Sequence, residues 1–598
     1  MMLSRLCELY DRLAADPDHA VDIARPGWSV DKVAWALVID ADGLVKGLYS
    51  LATDEKHRFQ ELSIPEHVGR SGKFPEPYFL CDKASYLLGL DEKSGAANRE
   101  RSRAKHVEVL EGCEDAAARA VLAFFANPNP TTPISEEKLD ELAPSAMIAL
   151  CYEREGRYIH SCPMVRAAWD AYRARKDAEG QVRGRCSVTG EHTALARLFP
   201  QVSGVPGAQS AGASLVSFNF DAVESYGKKQ AYNASISTEV AFKAGFALKY
   251  LLGNRERRVT MGGIVVTYWT DAPTPIGDAF LASLCGGEQA VAEDKATRDA
   301  LRTAFIEMRR GAPLTTIDAE VGYCILGISP NAARLAVNFF ESGTLGQLAE
   351  RYGQYLRDIE MVKVKPMAMR QLLLQTAPQG KDENVPKTLF SQGIASVLDG
   401  KVFPQALDEL VRSRMRADHA VRNAWDLGQR AAIMKAALVR RQRLTGVVSN
   451  DEERIDMTLN RDNTNTGYLL GRLFAVLERA QEGAVKGANA TVRDRYIGAA
   501  SSTPARVFQP LMRGCQVHLA TIRKDPGSAW LSTRLERELD EIVGRRLRAD
   551  GGLPDVLNAD DQSRFFIGYY QERVDLWMSK EERAALDAMT KTDKIKED

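Results

Sequence analysis

The chain has 598 residues, of which 45% are hydrophobic and 27% are charged, and its formal net charge at pH 7 is −1. This length exceeds what one hydrophobic core supports, and the composition is that of a folded protein, which excludes global disorder. No stretch approaches the roughly 18 consecutive apolar residues of a membrane span, and the N-terminus lacks the apolar region of a signal peptide. We therefore expect a cytoplasmic protein of several domains without a membrane partner.

The first 375 residues mix helical and strand-like patterns. Residues 32–39 and 44–51 read as two strands, and the Asp-Ala-Asp-Gly between them ends at Gly43, which suits a hairpin turn. Apolar spacing predicts helices at 98–125, 145–175 and 238–252. Short apolar runs bounded by glycine and proline predict strands at 263–269 and 320–326. This alternation predicts a mixed α/β lobe.

The pattern changes at residues 376–387, a polar stretch with two prolines that is typical of a linker. Beyond it no strand is predicted, and amphipathic helices at 467–485 and 534–548 indicate a bundle. The predicted fold is multidomain α+β, with an N-terminal mixed α/β lobe that carries a β-hairpin and a C-terminal all-α helical bundle. The predicted domains are a hairpin-plus-helix domain at 1–125, a central mixed α/β region at 126–375, the linker, and a helical domain at 388–598.

Sequence motifs for catalysis and cofactor binding are missing. The glycine-rich run at 204–212 lacks the lysine and the Ser or Thr of a phosphate-binding loop. The eight histidines never fall at H-x-H or H-x-x-x-H spacing, and the nine cysteines form no C-x-x-C pair. A Ser or Cys nucleophile with a distant histidine stays open, although no G-x-S-x-G motif supports it. We expect no catalytic residue, no metal and no cofactor.

Two groups of basic residues are candidates for DNA binding. The first combines a glycine-bearing loop with the start of a helix, which suits close approach to a duplex: Arg70, Ser71, Gly72, Lys73, Asn98, Arg99, Arg101, Arg103 and Lys105. The second lies in a stretch with six basic residues and one acid, from which the candidates are Lys486, Arg493, Arg495, Arg506 and Arg513. The alternative for both groups is an ordinary solvated surface.

Longer strings carry a more specific signal. They are FLCDKASYLLGL at 79–90, CSVTGEH at 186–192, SFNFDAVESYGKKQAYNASISTEVAFKAGFALKYLL at 217–252, LGISPNAARLAVNFF at 326–340, YLLGRLFAVLERAQ at 468–481, NATVRDRYIGAASSTPARVF at 489–508 and FIGYYQER at 566–573. In this order they resemble the large subunit of the type I-C CRISPR surveillance complex (Cascade), and the resemblance covers nearly the whole chain.

The resemblance implies a non-catalytic, DNA-binding subunit in antiviral defence. Such a subunit recognises the protospacer-adjacent motif (PAM) on target double-stranded DNA, aids duplex opening and R-loop formation, and docks a recruited helicase–nuclease. The implied partners are the crRNA, the crRNA-handle-binding subunit, the backbone subunits of Cascade and the target DNA. The first basic group then becomes the PAM candidate. Two alternatives stay open, a stand-alone metal-dependent nuclease and a purely structural scaffold subunit.

The C-terminal residues 457–598 resemble a small subunit that lines the path of the displaced DNA strand, which makes the second basic group the displaced-strand candidate. In this family the small subunit arises by internal translation initiation in the same gene, so copies of it are further implied partners. Met457 is the predicted internal start because it precedes a polar run at 460–465 that suits the N-cap of the helix at 467–485. The alternative is that Met457 is an ordinary elongation residue.

Overall fold

The computed structural model describes residues 1–16, 25–52, 59–67, 75–91, 93–178, 181–209, 212–286, 295–418, 424–446, 453–485, 487, 490–547 and 552–586. The chain forms two compact units, one from Met1–Val202 with Ser214–Tyr250 and the other from Ser203–Ala213 with Leu251–Asp598. The predicted multidomain α+β class is confirmed. Among the described helices, none combines the length and the apolar character that crossing a bilayer requires.

The elements that begin before residue 250 alternate between strand and helix. The strands are β1 (Trp28–Val33), β2 (Trp35–Ile39), β3 (Val45–Ser50), β4 (Gln60–Pro65), β5 (Cys81–Lys83), β6 (Met147–Tyr152), β7 (Arg157–Tyr158), β8 (Arg183–Arg185), β9 (His192–Ala194), β10 (Gln201–Val202) and β11 (Ala213–Ser214). The helices are α1 (Met2–Ala15), α2 (Ala84–Leu87), α3 (Gly95–Leu110), α4 (Ala116–Ala126), α5 (Glu136–Glu141), α6 (Pro163–Ala178) and α7 (Thr238–Gly253).

A sheet with the strand order β3-β2-β6-β5 lies at the centre of the first unit, and β7 pairs with β6. The predicted hairpin is confirmed as β2 and β3, which pair antiparallel, whereas β2 and β6 run parallel. The Asp40 carboxylate accepts hydrogen bonds from the backbone N–H groups of Asp42 and Leu44, and Gly43 takes the positive φ of 76° that the turn requires. The local turn chemistry therefore sets this register.

Two predicted helices of the first unit differ from the structure. The helix predicted at 145–175 is wrong over its first half, because Met147–Tyr152 forms β6 between β2 and β5, and only Pro163–Ala178 is helical. A short apolar run buried in a sheet cannot be told from a buried helix by periodicity. The single helix predicted at 98–125 is two helices, because the Asp115 side chain accepts from the Ala117 N–H and begins α4 anew.

The second unit begins with strands and continues with helices. The strands are β12 (Arg258–Met261), β13 (Ile264–Thr270), β14 (Gly322–Asn331) and β15 (Arg334–Thr344). The helices are α8 (Pro275–Cys285), α9 (Lys295–Arg310), α10 (Leu345–Ile359), α11 (Met369–Leu374), α12 (Lys387–Leu398), α13 (Gln405–Ala417), α14 (Ala424–Thr445), α15 (Thr466–Ala484), α16 (Val492–Ala500), α17 (Pro504–Lys524), α18 (Ala529–Leu539) and α19 (Ala559–Trp577).

The strands β12 to β15 pair antiparallel in chain order, and Tyr268 of β13 shares its core with Phe280 of α8 and Tyr352 of α10. After β15 the described residues contain helices and no strand, as predicted. The stretch predicted as a linker, 376–387, lies within the second unit. Thr376 and Val385 are buried, and the Asp382 carboxylate accepts from the Gly262 N–H at the β12–β13 turn.

The C-terminal bundle is organised around α15, whose residues 467–478 are all buried. It packs against α19 backbone to backbone, since a Cβ at Gly471 would lie 2.0 Å from the Phe565 carbonyl oxygen and one at Gly568 would lie 2.3 Å from that of Tyr468. Glycine is required at both positions by this close approach. The helix predicted at 534–548 is α-helical only to Leu539 and continues as a π-helical segment, Asp540–Leu547.

Candidate nucleic-acid interface

The first basic candidates lie on α3, and a buried histidine anchors this helix. The His106 ring accepts a hydrogen bond from the Leu80 N–H at 2.9 Å and donates one to the Ser102 carbonyl at 2.6 Å. Burial lowers the pKa of His106 to about 3, so the ring is neutral near pH 7 and serves as donor and acceptor at once. No local sequence pattern predicts this role for His106, because both of its partners are backbone atoms.

Arg99 has a structural role in the first unit. Its guanidinium donates to the carbonyl oxygens of Leu87, Phe124 (2.8 Å) and Asn127 (3.0 Å), and it lies over the Phe124 ring at 4.8 Å from the centroid. Burial lowers the pKa of Arg99 to about 10. These bonds tie α3 to α2 and to the end of α4, so the cation is occupied within the fold.

Asn98 also faces inward. Its side chain is 6% exposed, and its amide group donates to the Ser94 hydroxyl at 3.2 Å. The amide oxygen accepts from Arg101, which is itself half-buried. A base edge in a DNA groove would therefore have to displace contacts that Asn98 and Arg101 make within α3.

Arg103 and Lys105 lie nearer to solvent. Arg103 is exposed and forms an ion pair with Glu100 at 2.7 Å, and the Lys105 ammonium lies 5.8 Å from the centre of the Trp169 ring. The predicted PAM loop of Arg70, Ser71, Gly72 and Lys73 lies outside the described residues. The described part of the first candidate group thus contains one exposed side chain, Arg103.

The second candidate group contains three exposed arginines, which we call the arginine surface: Arg495 of α16 with Arg506 and Arg513 of α17. Arg506 and Arg513 are seven residues apart, two helical turns, and therefore lie on the same face of α17. Within the described part of the chain, no carboxylate forms an ion pair with any of these three side chains.

The other two members of the second group differ from the arginine surface. Arg493 is half-buried and lies close enough to Glu478 and Tyr569 to act on their ionisation. Burial raises the pKa of Glu478, and the positive charges of Arg573 and Arg493 oppose that shift. Lys486 lies outside the described residues. The sequence interval is therefore not one uniform cationic surface.

A buried ion-pair cluster stabilises the same bundle. The fully buried Arg472 donates to Glu572 at 2.8 Å and to Glu541 at 3.0 Å, and Arg461 donates to Glu538 at 2.7 Å. The carboxylates of Glu538, Glu572 and Asp575 lie within 4.8 Å of one another, an arrangement that resembles a metal site. The guanidinium groups of Arg461, Arg472, Arg534 and Arg583 already contact these carboxylates, so the cluster is a salt-bridge network that includes α15, α18, α19 and the π-helical segment.

The backbone around Met457 is held by hydrogen bonds to distant parts of the second unit. The Met457 carbonyl accepts from the Val362 N–H at 3.0 Å, and the Asp456 carbonyl accepts from the Gln571 side chain at 2.8 Å. The predicted N-cap is confirmed, since the Asn465 side chain accepts from the Tyr468 N–H at the start of α15. A product that began at Met457 would contain α15 to α19 as whole helices.

Comparison with known proteins identifies a family to which the sequence is similar. A family model described as CRISPR-associated protein (Cas_Csd1) matches residues 6–577, which is nearly the whole chain. No curated protein matches the sequence.

Proposed function

Because the chain belongs to the Cas_Csd1 family of CRISPR-associated proteins and is a Cascade subunit, we propose that it is the non-catalytic, DNA-binding large subunit of a type I-C complex. In this role it recognises the PAM on target double-stranded DNA, aids duplex opening and R-loop formation, and docks the recruited helicase–nuclease. Its partners are the crRNA, the handle-binding subunit and the backbone subunits.

The observation that carries the proposal is the arginine surface, in a chain whose net charge is only −1. Exposed arginines without carboxylate partners among the described residues are free to neutralise phosphates, and three of them make a small footprint. A small footprint suits RNA-guided recognition, in which base pairing with the guide carries sequence specificity and protein contacts a short motif and the backbone. We assign the displaced strand to this surface.

PAM recognition is assigned to the N-terminal region, where Arg103, Lys105 and the loop of Arg70 to Lys73 are the remaining candidates. Because Asn98 is buried and Arg99 is bonded within the fold, the loop is the favoured candidate. Few base contacts are needed for a short motif, since one bidentate pair discriminates by about 1–3 kcal/mol.

The test is a gel shift with the assembled complex on duplexes that differ only in the PAM. We expect a PAM-dependent shift, a weaker shift for Lys73→Ala on the PAM duplex, and no change for Lys73→Ala on the duplex without a PAM. Equal weakening on both duplexes would make Lys73 a phosphate contact. A complex that shifts neither duplex would support the purely structural scaffold.

The stand-alone nuclease predicts a different result. Purified chain incubated with DNA and Mg²⁺ or Mn²⁺ would then cut the DNA, and cutting would stop when Glu538 and Glu572 are replaced by glutamine, because these are the carboxylates that approach one another. Our proposal expects intact DNA at all metal concentrations. A metal-dependent cut by the wild-type chain would overturn the non-catalytic assignment.

A further inference from the structure

A tyrosine stands where the backbone favours asparagine. Residues Ser225 to Lys228 form a tight turn, closed by a bond from the Lys228 N–H to the Ser225 carbonyl at 3.0 Å. Its two central residues, Tyr226 and Gly227, have φ angles of 53° and 69°. Positive φ at both central positions is the signature of a type I′ turn, for which Asn-Gly is the preferred sequence. The left-handed conformation costs roughly 1–2 kcal/mol for a residue such as tyrosine.

The turn is held in this strained form from within its own loop. The Asn233 side chain accepts from the Ser225 N–H and donates to the carbonyls of Lys228 and Gln230, all three at 2.9 Å. The Glu224 carboxylate accepts from the Gln230 N–H at 3.1 Å and pairs with Lys229 at 2.5 Å. The loop is therefore fixed by several bonds before any ligand binds.

The effect of this architecture is to present one aromatic side chain to solvent. Tyr226 is 98% exposed, so its ring contributes nothing to the core of the first unit. Strain that persists without a packing benefit points to a use for the side chain itself. The ring is available on both faces, which is the state required for stacking on a planar group.

The surroundings of the ring favour a nucleic acid over a protein. Its neighbours in the loop, Ser225, Lys228 and Lys229, are polar and exposed, whereas an aromatic hot spot for a protein lies within a well-packed patch that excludes water. Lys228 bonds to the neutral Ser235 hydroxyl at 3.2 Å and has no carboxylate partner among the described residues.

A second cation belongs to the same region. Ser187, at the turn between β8 and β9, donates from its N–H to the Ser235 carbonyl at 2.8 Å and from its hydroxyl to the Ala234 carbonyl. Arg185 on this hairpin is exposed, and its guanidinium bonds only to the Gly190 carbonyl within the described residues. Lys228 thus follows Tyr226 by two residues, and Arg185 lies on the hairpin that bonds to the end of the same loop. An exposed aromatic ring and cations in one region suit a single strand, which binds by base stacking and phosphate contact.

We infer that Tyr226 is a stacking platform for an unpaired base of a single-stranded nucleic acid, with Lys228 and Arg185 contacting its phosphates. The inference rests on the proposed function, because a Cascade subunit meets both crRNA and displaced DNA. It adds a site that neither basic candidate group contains.

The test uses the full-length chain and two probes, an oligouridylate and an oligothymidylate of about 30 nucleotides, longer than the roughly 4–16 nucleotides of one single-strand site. We expect Tyr226→Asn and Tyr226→Ala to weaken binding of at least one probe about tenfold. Tyr226→Phe and Tyr226→Trp keep a ring and are expected to stay within about twofold. Tyr49→Ala, at another exposed tyrosine of the same unit, is the matched control.

Stability separates stacking from a structural role. Asparagine suits the left-handed position, so Tyr226→Asn should unfold at the same temperature or higher while it loses binding. The RNA and DNA probes distinguish the two sources of a single strand. Unchanged binding by Tyr226→Asn, loss of binding only with loss of stability, or ultraviolet cross-links from this turn to a protein subunit would each overturn the inference. If the complex still selects the PAM duplex, the proposed function survives; failure of that gel shift would remove both.

Discussion

Arg99 of α3 and Arg506 of α17 both occur among clustered basic residues, and they have opposite roles. Arg99 donates hydrogen bonds to three backbone carbonyls of the first unit. Arg506 is exposed, and no carboxylate among the described residues pairs with it. A cation whose donors are satisfied within the protein stabilises the fold. A cation without partners is available to a phosphate. Local composition does not separate these two cases, because the partners of Arg99 are distant in sequence.

The largest effect is expected where an arginine is fully buried. Arg472→Ala should lower the free energy of unfolding by about 3–5 kcal/mol, because Glu572 would remain buried without its partner. Chemical denaturation of the full chain measures this loss. The double variant Arg472→Met/Glu572→Met should lose less than the single one, since it removes both charges. If Arg472→Ala is no less stable than Arg506→Ala, burial does not separate the two classes of arginine.

Arg99→Ala tests the same distinction in the helix that was predicted to sense the PAM. We expect a loss of about 2–3 kcal/mol in the free energy of unfolding, because hydrogen bonds from a charged group to three carbonyls disappear. Arg99→Lys should recover only part of the loss, since one ammonium cannot replace a planar fork. The folded variant should keep the ratio of PAM to non-PAM binding. A selective loss of PAM binding at unchanged stability would make Arg99 a DNA contact.

Removing the arginine surface should leave stability almost unchanged. The triple variant Arg495→Ala/Arg506→Ala/Arg513→Ala should flatten the salt dependence of single-stranded DNA binding by about 2 units of slope, at about 0.7 for each neutralised phosphate. Arg493→Ala is the matched control, because that side chain lies near Glu478 and should change stability rather than slope. An unchanged slope in the triple variant would mean that this face is ordinary solvated surface.

Elements set by neighbouring residues could be predicted from the sequence. The β2–β3 hairpin follows from Asp40 and Gly43, and the start of α15 follows from Asn465, because each acts on backbone groups at most four residues away. The strand β6 could not be predicted, since its apolar run gains its identity from pairing with β2 and β5, which are distant in the chain.

The candidate site residues also separate into those that local sequence indicates and those whose surroundings depend on distant residues. The local excess of basic residues indicates Arg506 and Arg513 as candidates, and both side chains are exposed. The burial of Asn98 and the hydrogen bonds of Arg99 depend on α2, α4 and the turns around them, which no local pattern reveals. Tyr226 lies within the string at 217–252, and no local pattern distinguishes it, because its left-handed φ exists only in the folded loop.

The smallest expected effect on the full-length chain is that of Met457→Leu. The Met457 bond to Val362 uses a backbone carbonyl, and exchanging methionine for leucine conserves volume, so the free energy of unfolding should change by less than about 1.5 kcal/mol. The internal start predicts the loss of a second product of roughly 16 kDa, at about 110 Da per residue. Expression of the gene followed by intact-mass analysis of the purified complex measures both species.

The structure supplies the controls for this experiment. Met434 lies inside α14 and Met512 inside α17, so a product that began at either residue would lack part of a helix and expose its apolar side. Met434→Leu and Met512→Leu should therefore leave the short product in place. A short product that persists in Met457→Leu, or its absence from the wild-type complex, would contradict the internal start.

The arginine surface lies entirely after Met457, so each short copy adds three exposed arginines to the complex. Met457→Leu should therefore reduce the salt dependence of single-strand binding. The contacts of α3 should stay unchanged.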